Sequence, residues 1–374
     1  MLRRIWTLIV KEFIHLRRDW WLPAFMVLGG AMELVIISWA TSRPITDLPL
    51  RVMDQDRTAA SRAFIVALAN TTTFRYQGPI ANLDDLRQAM DKGQVYAGVL
   101  IPHGFEADLH DPQRRPTVAV VLNGTESLAT TEALNALDGL AQAYDLRLMV
   151  QRHPQAAAAL THWTPSVRVW FNESLNRAWY TAPAELGLML EFTVLLFVLL
   201  AFARERELGT LEQLLVMPFS AAEIILGKVT PAVVLSYLDF WLMFVLTHWA
   251  FGLPLRGSAL LLAGLVLLYL LEEVGKGMVL AVFSRNQHQA FLLIMLVGLT
   301  EFMFSGYAVP IESMPRPMQA VAALLPISHW MRILRGVMMK GLGVAQLWPD
   351  ILTLAAYALI MGTVGALVLR RALD

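Results

Sequence analysis

Six acidic residues of this chain fall inside long apolar stretches, where acidic residues are rarely found. A carboxylate in the middle of a bilayer costs several kcal/mol unless it faces protein or water, so each one is a candidate member of a translocation path. The six are Glu33, Glu191, Asp239, Glu272, Glu273 and Glu301.

The local sequence suggests different roles for these acids. Glu272 precedes Lys276 by four residues, and such a pair on a helix neutralises the acid without any role in transport. Asp239 stands between two aromatic residues, which suits a structural acid. Glu33 and Glu301 have no partner nearby in the sequence, so we expect them to face a dimer interior or a water-filled path. Hydrogen bonding between helices is the alternative role for all of them.

A second unusual feature is the charged stretch 204–218 between two apolar runs. Gly209 interrupts the preceding helix, and Thr210 with Gln213 has the spacing of a capping box, which begins a new helix. Pro218 ends that helix. A loop between two membrane spans needs no capped helix unless something docks on it, and an ordinary amphipathic loop is the alternative interpretation.

The motifs of common enzyme classes are absent from the sequence. It has no G-x-x-x-x-G-K-[ST] loop for nucleotides, no H-E-x-x-H and no G-x-S-x-G, and its lack of cysteine excludes disulfides and thiolate chemistry. A formal net charge of zero predicts no nucleic-acid partner. We therefore expect no catalytic residue, metal or cofactor in this chain, and any ATP hydrolysis must occur on another chain.

The elements that hold these residues are predicted to be membrane-spanning helices. The 374 residues are 56% hydrophobic and only 16% charged, with a mean hydropathy of +0.53. Each of six apolar runs reaches the ~20 residues that a helix needs to cross a bilayer. The runs are approximately 20–40, 184–203, 230–251, 258–283, 290–309 and 351–369. The predicted fold class is an α-helical polytopic membrane protein with six transmembrane helices and an inserted extracytoplasmic α/β domain.

The chain divides into regions with different patterns. Residues 1–19 have apolar side chains at helical spacing and basic ones on the other face, which is typical of an interfacial helix. Residues 20–42 form the predicted first span, and residues 43–182 alternate between strand and helix patterns. Residues 183–374 contain the other five spans, with proline-broken helices at about 311–340 that suit re-entrant or interfacial positions.

Within 43–182 the individual elements are also predicted. Asn82 caps a helix, because its side chain precedes two acidic residues that favour the helix dipole. The expected strands are 50–54, 74–76, 95–101 and 117–122, and the expected helices are 57–69, 82–90 and 126–152.

Basic residues in the short connecting segments predict the orientation in the membrane. One side carries eleven of them and the other side five. Because the side rich in Lys and Arg is normally cytoplasmic, both termini and the 204–228 connector are expected in the cytoplasm, and 43–182 outside.

Four motifs resemble the permease subunits of ABC-2 type exporters, in the bacterial drug-efflux branch with a large external domain after the first span. The stretch 204–218 is similar to the family's charged signature, in which Gly-Thr-Leu-Glu-Gln-Leu leads to a proline. The others are Lys11-Glu-Phe-Ile-His-Leu-Arg-Arg-Asp19, Ser305-Gly-Tyr-Ala-Val-Pro-Ile-Glu-Ser-Met-Pro315 and Leu325-Pro-Ile-Ser-His-Trp-Met-Arg-Ile-Leu-Arg-Gly336.

The resemblance implies a permease of the bacterial inner membrane that exports drug-like or amphipathic compounds. A separate ATPase subunit would bind ATP and Mg, a second permease subunit would complete a homo- or heterodimer, and a periplasmic adaptor and membrane lipid would be further partners. By this resemblance, 1–19 is the connecting helix and 210–217 is the coupling helix that rests on the ATPase. The implied coupling residues are Glu205, Glu207, Gly209, Thr210, Leu211, Glu212, Gln213, Leu214, Leu215 and Pro218.

Two other functions remain open at this point. An ion-driven secondary transporter would explain the intramembrane acids, and inverted repeats would support it. A membrane-anchored sensor would use the α/β domain to bind a ligand outside the cell.

Overall fold

A computed structural model describes residues 2–111, 114, 116–152, 170–174, 176–210 and 216–373. The chain forms two compact units. The first comprises Met1–Arg43 and Arg168–Asp374, and the second is Pro44–Val167.

Helices dominate the chain, and four strands lie in the second unit. In chain order the elements are α1 (Leu2–Arg18), α2 (Trp21–Ser42), β1 (Leu48–Asp54), α3 (Ala59–Ala69), β2 (Phe74–Pro79), α4 (Leu83–Asp91), β3 (Ala97–Ile101), α5 (Phe105–His110), β4 (Ala119–Leu122), α6 (Ser127–Arg152), α7 (Ala178–Glu207), α8 (Ala221–Phe251), α9 (Ala259–Phe283), α10 (Gln287–Phe304), α11 (Arg316–Ala323), α12 (Pro326–Arg335) and α13 (Val344–Leu373).

By length and composition, five of the described helices are suited to cross a membrane: α2, α7, α8, α10 and α13. α9, which was predicted as a further span, is long enough at 25 residues. It is not among the five because Glu272, Glu273 and Lys276 lie close together in it. The structure therefore supports a helical membrane protein, and the status of α9 depends on how those three charges are accommodated.

Two helix ends differ from the predicted ones. The helix expected from residue 230 already begins at Ala221, because Ser220 and Glu223 form a reciprocal capping box: the Ser220 amide donates to Glu223 Oε2 at 2.9 Å, and the Glu223 amide donates to Ser220 Oγ at 3.3 Å. The helix expected to reach residue 309 ends at Phe304, because Gly306 takes a positive φ of 77°.

The core of the first unit is built around α7, which is buried on nearly all sides. Its sequence is apolar all round, which is typical of a helix surrounded by others, and it packs against α2, α8, α9, α10 and α12. α9 and α13 approach still more closely through glycines. A Cβ added to Gly275 would lie 2.5 Å from the Gly362 nitrogen, and one on Gly365 would lie 2.6 Å from the Gly275 oxygen.

After α10 the chain makes a 3₁₀ turn at Ile311–Ser313, then α11 and α12, and then a π-helical turn at Gly336–Lys340. Proline begins or precedes each short helix, where its missing N–H costs nothing. Trp330 of α12 is fully buried, and its ring stacks on Tyr269 of α9 with centroids 4.7 Å apart.

The second unit is a four-stranded sheet in the order β2-β1-β3-β4. β1 runs parallel to both β2 and β3, while β4 is antiparallel to β3. The inward side chains of the central strands form the core with Phe105 of α5, and Val52 and Val99 are paired in register. The predicted Asn82 cap is confirmed, since its side chain accepts from the Asp85 amide at 2.7 Å. α5 was not predicted.

Candidate functional site

Three helices bring four glutamates around one lysine inside the first unit. Glu191 comes from α7, Glu272, Glu273 and Lys276 from α9, and Glu301 from α10. The Lys276 Nζ lies 2.7 Å from Glu273 Oε1 and 2.8 Å from Glu301 Oε1. It lies 3.9 Å from both Glu191 Oε1 and Glu272 Oε2. We call these five residues the acid cluster.

The acid cluster is removed from solvent, and it has more acceptors than donors. Glu191, Glu272 and Glu273 are 0% exposed. Among the described residues, neither oxygen of Glu191 or Glu272 has a hydrogen-bond donor, and Oε2 of Glu273 and of Glu301 also lack one. Buried polar atoms are normally paired, so this number of open acceptors in one place is a chemical feature of the site.

Helical spacing explains why α9 contributes three members. Glu272 and Glu273 precede Lys276 by four and three residues, so all three side chains lie on one face of α9. The predicted i,i+4 pair of Glu272 with Lys276 is present, at 3.9 Å. The shorter contacts of Lys276 are with Glu273 and Glu301, so the pairing extends across to α10.

Glu301 has no partner nearby in the sequence, but the fold brings one to it. It is bonded to Lys276, 25 residues earlier in the chain and on another helix, a separation that local spacing does not reveal. Glu33 differs, because it is exposed on the surface of the described chain. Asp239 is buried and accepts a hydrogen bond from Thr193 Oγ1 at 3.1 Å, as suits the structural acid considered for that position. The buried Glu185 was missed by sequence reasoning.

A second cluster of charges joins α1 to α7 and α8. The Lys228 Nζ lies 2.7 Å from Glu12 Oε1 and 3.1 Å from Glu205 Oε1, and it also donates to the Ala201 carbonyl at 3.0 Å. The Lys11 Nζ bonds to Glu205 Oε1 at 3.0 Å. We call Lys11, Glu12, Glu205 and Lys228 the Lys228 junction.

The Lys228 junction is balanced in charge, with two ammonium groups facing two carboxylates. Close packing supports it: a Cβ on Gly227 would lie 2.5 Å from the Leu8 Cβ, so only a glycine lets α1 approach α8 this closely. Sequence reasoning did not identify Glu12 as a site residue. The signal available was an acid on the otherwise basic and apolar α1.

The junction continues into the predicted coupling residues. The Thr210 hydroxyl donates to the Glu205 carboxylate. Glu207 accepts from the Gln287 amide and from its side chain, both at 3.1 Å. Gly209 has a positive φ of 68°, which a glycine adopts without strain. The Arg4 guanidinium donates to the Pro218 carbonyl at 2.6 Å.

The other predicted coupling residues lie outside the described residues, and so does the second half of the predicted capping box. They are Leu211, Glu212, Gln213, Leu214 and Leu215.

Similarity to known proteins extends over nearly the whole chain. Residues 20–367 match the family described as ABC-2 family transporter protein. The chain is 26% identical over 371 residues to the probable multidrug ABC transporter permease YbhR of Escherichia coli strain K12, covering 99% of both. It is 26% identical over 377 residues to the inner membrane transport permease YhhJ of the same strain, covering 99% of this chain and 98% of the relative.

A more distant relative comes from another bacterium. The linearmycin resistance permease protein LnrN of Bacillus subtilis strain 168 is 25% identical over 346 residues, which covers 86% of this chain and 87% of the relative. With apolar helices of membrane-spanning length and a match across 20–367, the chain belongs to the ABC-2 transporter family and is a membrane permease of an ABC exporter.

Proposed function

We propose that this chain exports drug-like or amphipathic compounds from the cytoplasm or the inner leaflet, powered by a separate ATPase subunit. Two relatives that it matches over almost their full length are named as permeases, one of them as a multidrug permease. The sensor and the ion-driven transporter, which the sequence left open, have no support from any of these relatives. Two permease chains would form the complete membrane pathway.

Six helices span the membrane in this proposal, with α9 as the fourth. Its three charged side chains are buried against one another and against α7 and α10, so lipid would meet only its apolar surface. An even number of spans leaves both termini on the same side, and the excess of basic residues makes that side the cytoplasm. Pro44–Val167 would then be the extracytoplasmic domain, and a periplasmic adaptor would be its natural partner.

The Lys228 junction supports the proposal that the ATPase docks at 204–218. It connects α1 directly to the end of α7, where the predicted coupling helix begins. A connector fixed in this way moves as a rigid body with the helices that hold it, which is what transmission of ATPase closure requires. In this role Leu211, Leu214 and Leu215 would fill a groove of the ATPase, with the neighbouring acids at its rim.

The test is the variant Leu214→Asp, co-expressed with the partner ATPase. Truncating or charging an apolar anchor in a docked interface costs about 2 kcal/mol, so we expect the co-purified ATPase to fall more than tenfold and substrate-stimulated hydrolysis to be lost. Leu83→Asp places the same change on an exposed leucine of the second unit and should leave both unchanged. Normal ATPase binding and export by Leu214→Asp would show that 204–218 is only a loop.

A further inference from the structure

In the acid cluster the carboxyl groups outnumber the ammonium groups by four to one. Four ionised carboxylates around one ammonium would leave three excess negative charges among buried side chains. Isolated charges in a low-dielectric interior cost several kcal/mol each even after relaxation, so the cluster must take up further positive charge. The remaining question is whether that charge comes from a metal ion or from protons.

The geometry disfavours a metal ion. Oxygens of Glu191, Glu273 and Glu301 lie within 4.8 Å of one another, which is a spacing that an ion could use. However, the Lys276 ammonium is already within 2.7 Å of Glu273 and 2.8 Å of Glu301. A metal ion among these oxygens would have to displace the Lys276 ammonium from its two shortest contacts, although that ammonium is part of the chain and cannot leave the site.

The contacts between carboxyl groups favour protons. Carboxyl oxygens of Glu191, Glu273 and Glu301 lie within 4.8 Å of one another, and Glu272 lies beside Glu273 on the same face of α9, near the same lysine. An ionised carboxylate is only an acceptor, so two of them form a hydrogen bond only when one carries a proton. Carboxyl groups this close together also repel one another when all are ionised, so protonation of some of them is favoured.

The distances to Lys276 indicate which of the acids hold the protons. Glu273 and Glu301 have the short contacts to Lys276, as expected for ionised groups, whereas Glu191 and Glu272 are at 3.9 Å. The two distant acids are also those with both oxygens lacking a donor. Protons on Glu191 and Glu272 would give each of them one O–H donor and would leave Glu273 and Glu301 as the two ionised acids beside Lys276.

Among the ion pairs of the described residues, Lys276 is the one cation that meets these four acids. Tyr269, one turn earlier on α9, has a buried hydroxyl without a partner and adds no positive charge. α13 meets α9 here through Gly362 and Gly365. Asp239 of α8 is bonded to Thr193 instead.

We propose that the acid cluster is a proton-binding site that holds two protons per chain, one on Glu191 and one on Glu272. Exchange with water would occur when the helices separate. The proposal rests on the buried geometry alone and stands independently of the exported substrate and of the ATPase.

Infrared spectroscopy of the chain in lipid nanodiscs tests the proposal. Protonated carboxylic acids have a carbonyl band that is distinct from the carboxylate bands. This carbonyl band shifts in D₂O, which identifies it. We expect this band at neutral pH, with about one acid's share lost in Glu191→Gln and another in Glu272→Gln. Glu126→Gln, at an exposed acid of the second unit, should leave it unchanged. An unchanged band in both cluster variants would overturn the proposal.

A second measurement needs no variant and so does not depend on their folding. Dicyclohexylcarbodiimide modifies protonated carboxyl groups in apolar surroundings, and mass spectrometry of the wild-type chain locates the adduct. We expect labelling at Glu191 or Glu272 that decreases as pH rises and is indifferent to Na⁺. Protection by millimolar Na⁺ would show that a metal cation occupies the cluster, and absence of labelling at both positions would show ionised acids; either result overturns the proposal.

Discussion

The two charged clusters of the first unit are each centred on a buried lysine, but they solve the electrostatic problem differently. At the Lys228 junction two ammonium groups face two carboxylates, and the Ala201 carbonyl takes a further bond of Lys228. In the acid cluster one ammonium faces four carboxyl groups, several of whose oxygens have no donor. The comparison indicates that the junction is a fixed structural connection, while the cluster depends on protons from outside the chain.

The largest expected effect comes from breaking the junction. Lys228→Met leaves Glu12 and Glu205 without their shared cation, and loss of one partner of a buried ion pair costs about 3 kcal/mol. We expect a marked loss of thermal stability, measured by unfolding of the purified chain in detergent. Replacing Glu12 by Leu in the same variant should recover part of the stability, because it removes the acid left unpaired. A Lys228→Met chain as stable as the wild type would show that the junction contributes no stability.

A smaller and pH-dependent effect is expected in the acid cluster. Lys276→Met should cost about 2 kcal/mol at pH 8, less than at the junction because two of the four acids already hold protons. The folded variant binds more protons than its unfolded chain, so stability falls as pH rises, by about 1.4 kcal/mol per pH unit for each extra proton. Stability between pH 6 and pH 8 should therefore fall more steeply for this variant than for Lys228→Met, whose acid cluster keeps its lysine. Equal pH dependence of the two variants would remove the distinction between the clusters.

The smallest effect is expected at an ion pair close to the junction. Arg204 and Asp19 are paired, but their side chains are 38% and 35% exposed. Surface pairs of this kind contribute at most about 1 kcal/mol, and salt screens them. Arg204→Met should therefore lower thermal stability only slightly. The loss should be smaller still in about 0.5 M salt, where charges are screened within a few ångströms. A loss of stability as large as that of Lys228→Met would mean that burial does not decide how much each ion pair contributes to stability.

Local patterns predicted most of the elements in this chain. Asn82 caps its helix as expected, and the apolar runs correspond to long helices. α5 was missed because a six-residue helix produces no periodic pattern, and the start of α8 was missed because Ser220 and Glu223 lie outside its apolar run. Such errors arise where a few specific hydrogen bonds, and not hydrophobic periodicity, decide where a helix begins.

The charged clusters were much harder to predict. The acids were recognisable as unusual, but their partners come from other helices: Lys276 is 25 residues from Glu301, and Lys228 is 216 residues from Glu12. Only the packing of α1, α7, α8, α9 and α10 brings these groups together. Sequence spacing reports contacts within one helix, so it revealed the contact of Glu272 with Lys276 and not those that complete each cluster.

The glycine contact between α9 and α13 has a consequence for how the acid cluster is carried. Backbone meets backbone at Gly275, Gly362 and Gly365, with no layer of side chains between the helices that would let one slide past the other. α9 and α13 are therefore expected to move together as one rigid body. Any displacement of α9 that opens the acid cluster to water would therefore also move α13. Proton exchange at the buried cluster would then be detectable as motion of α13.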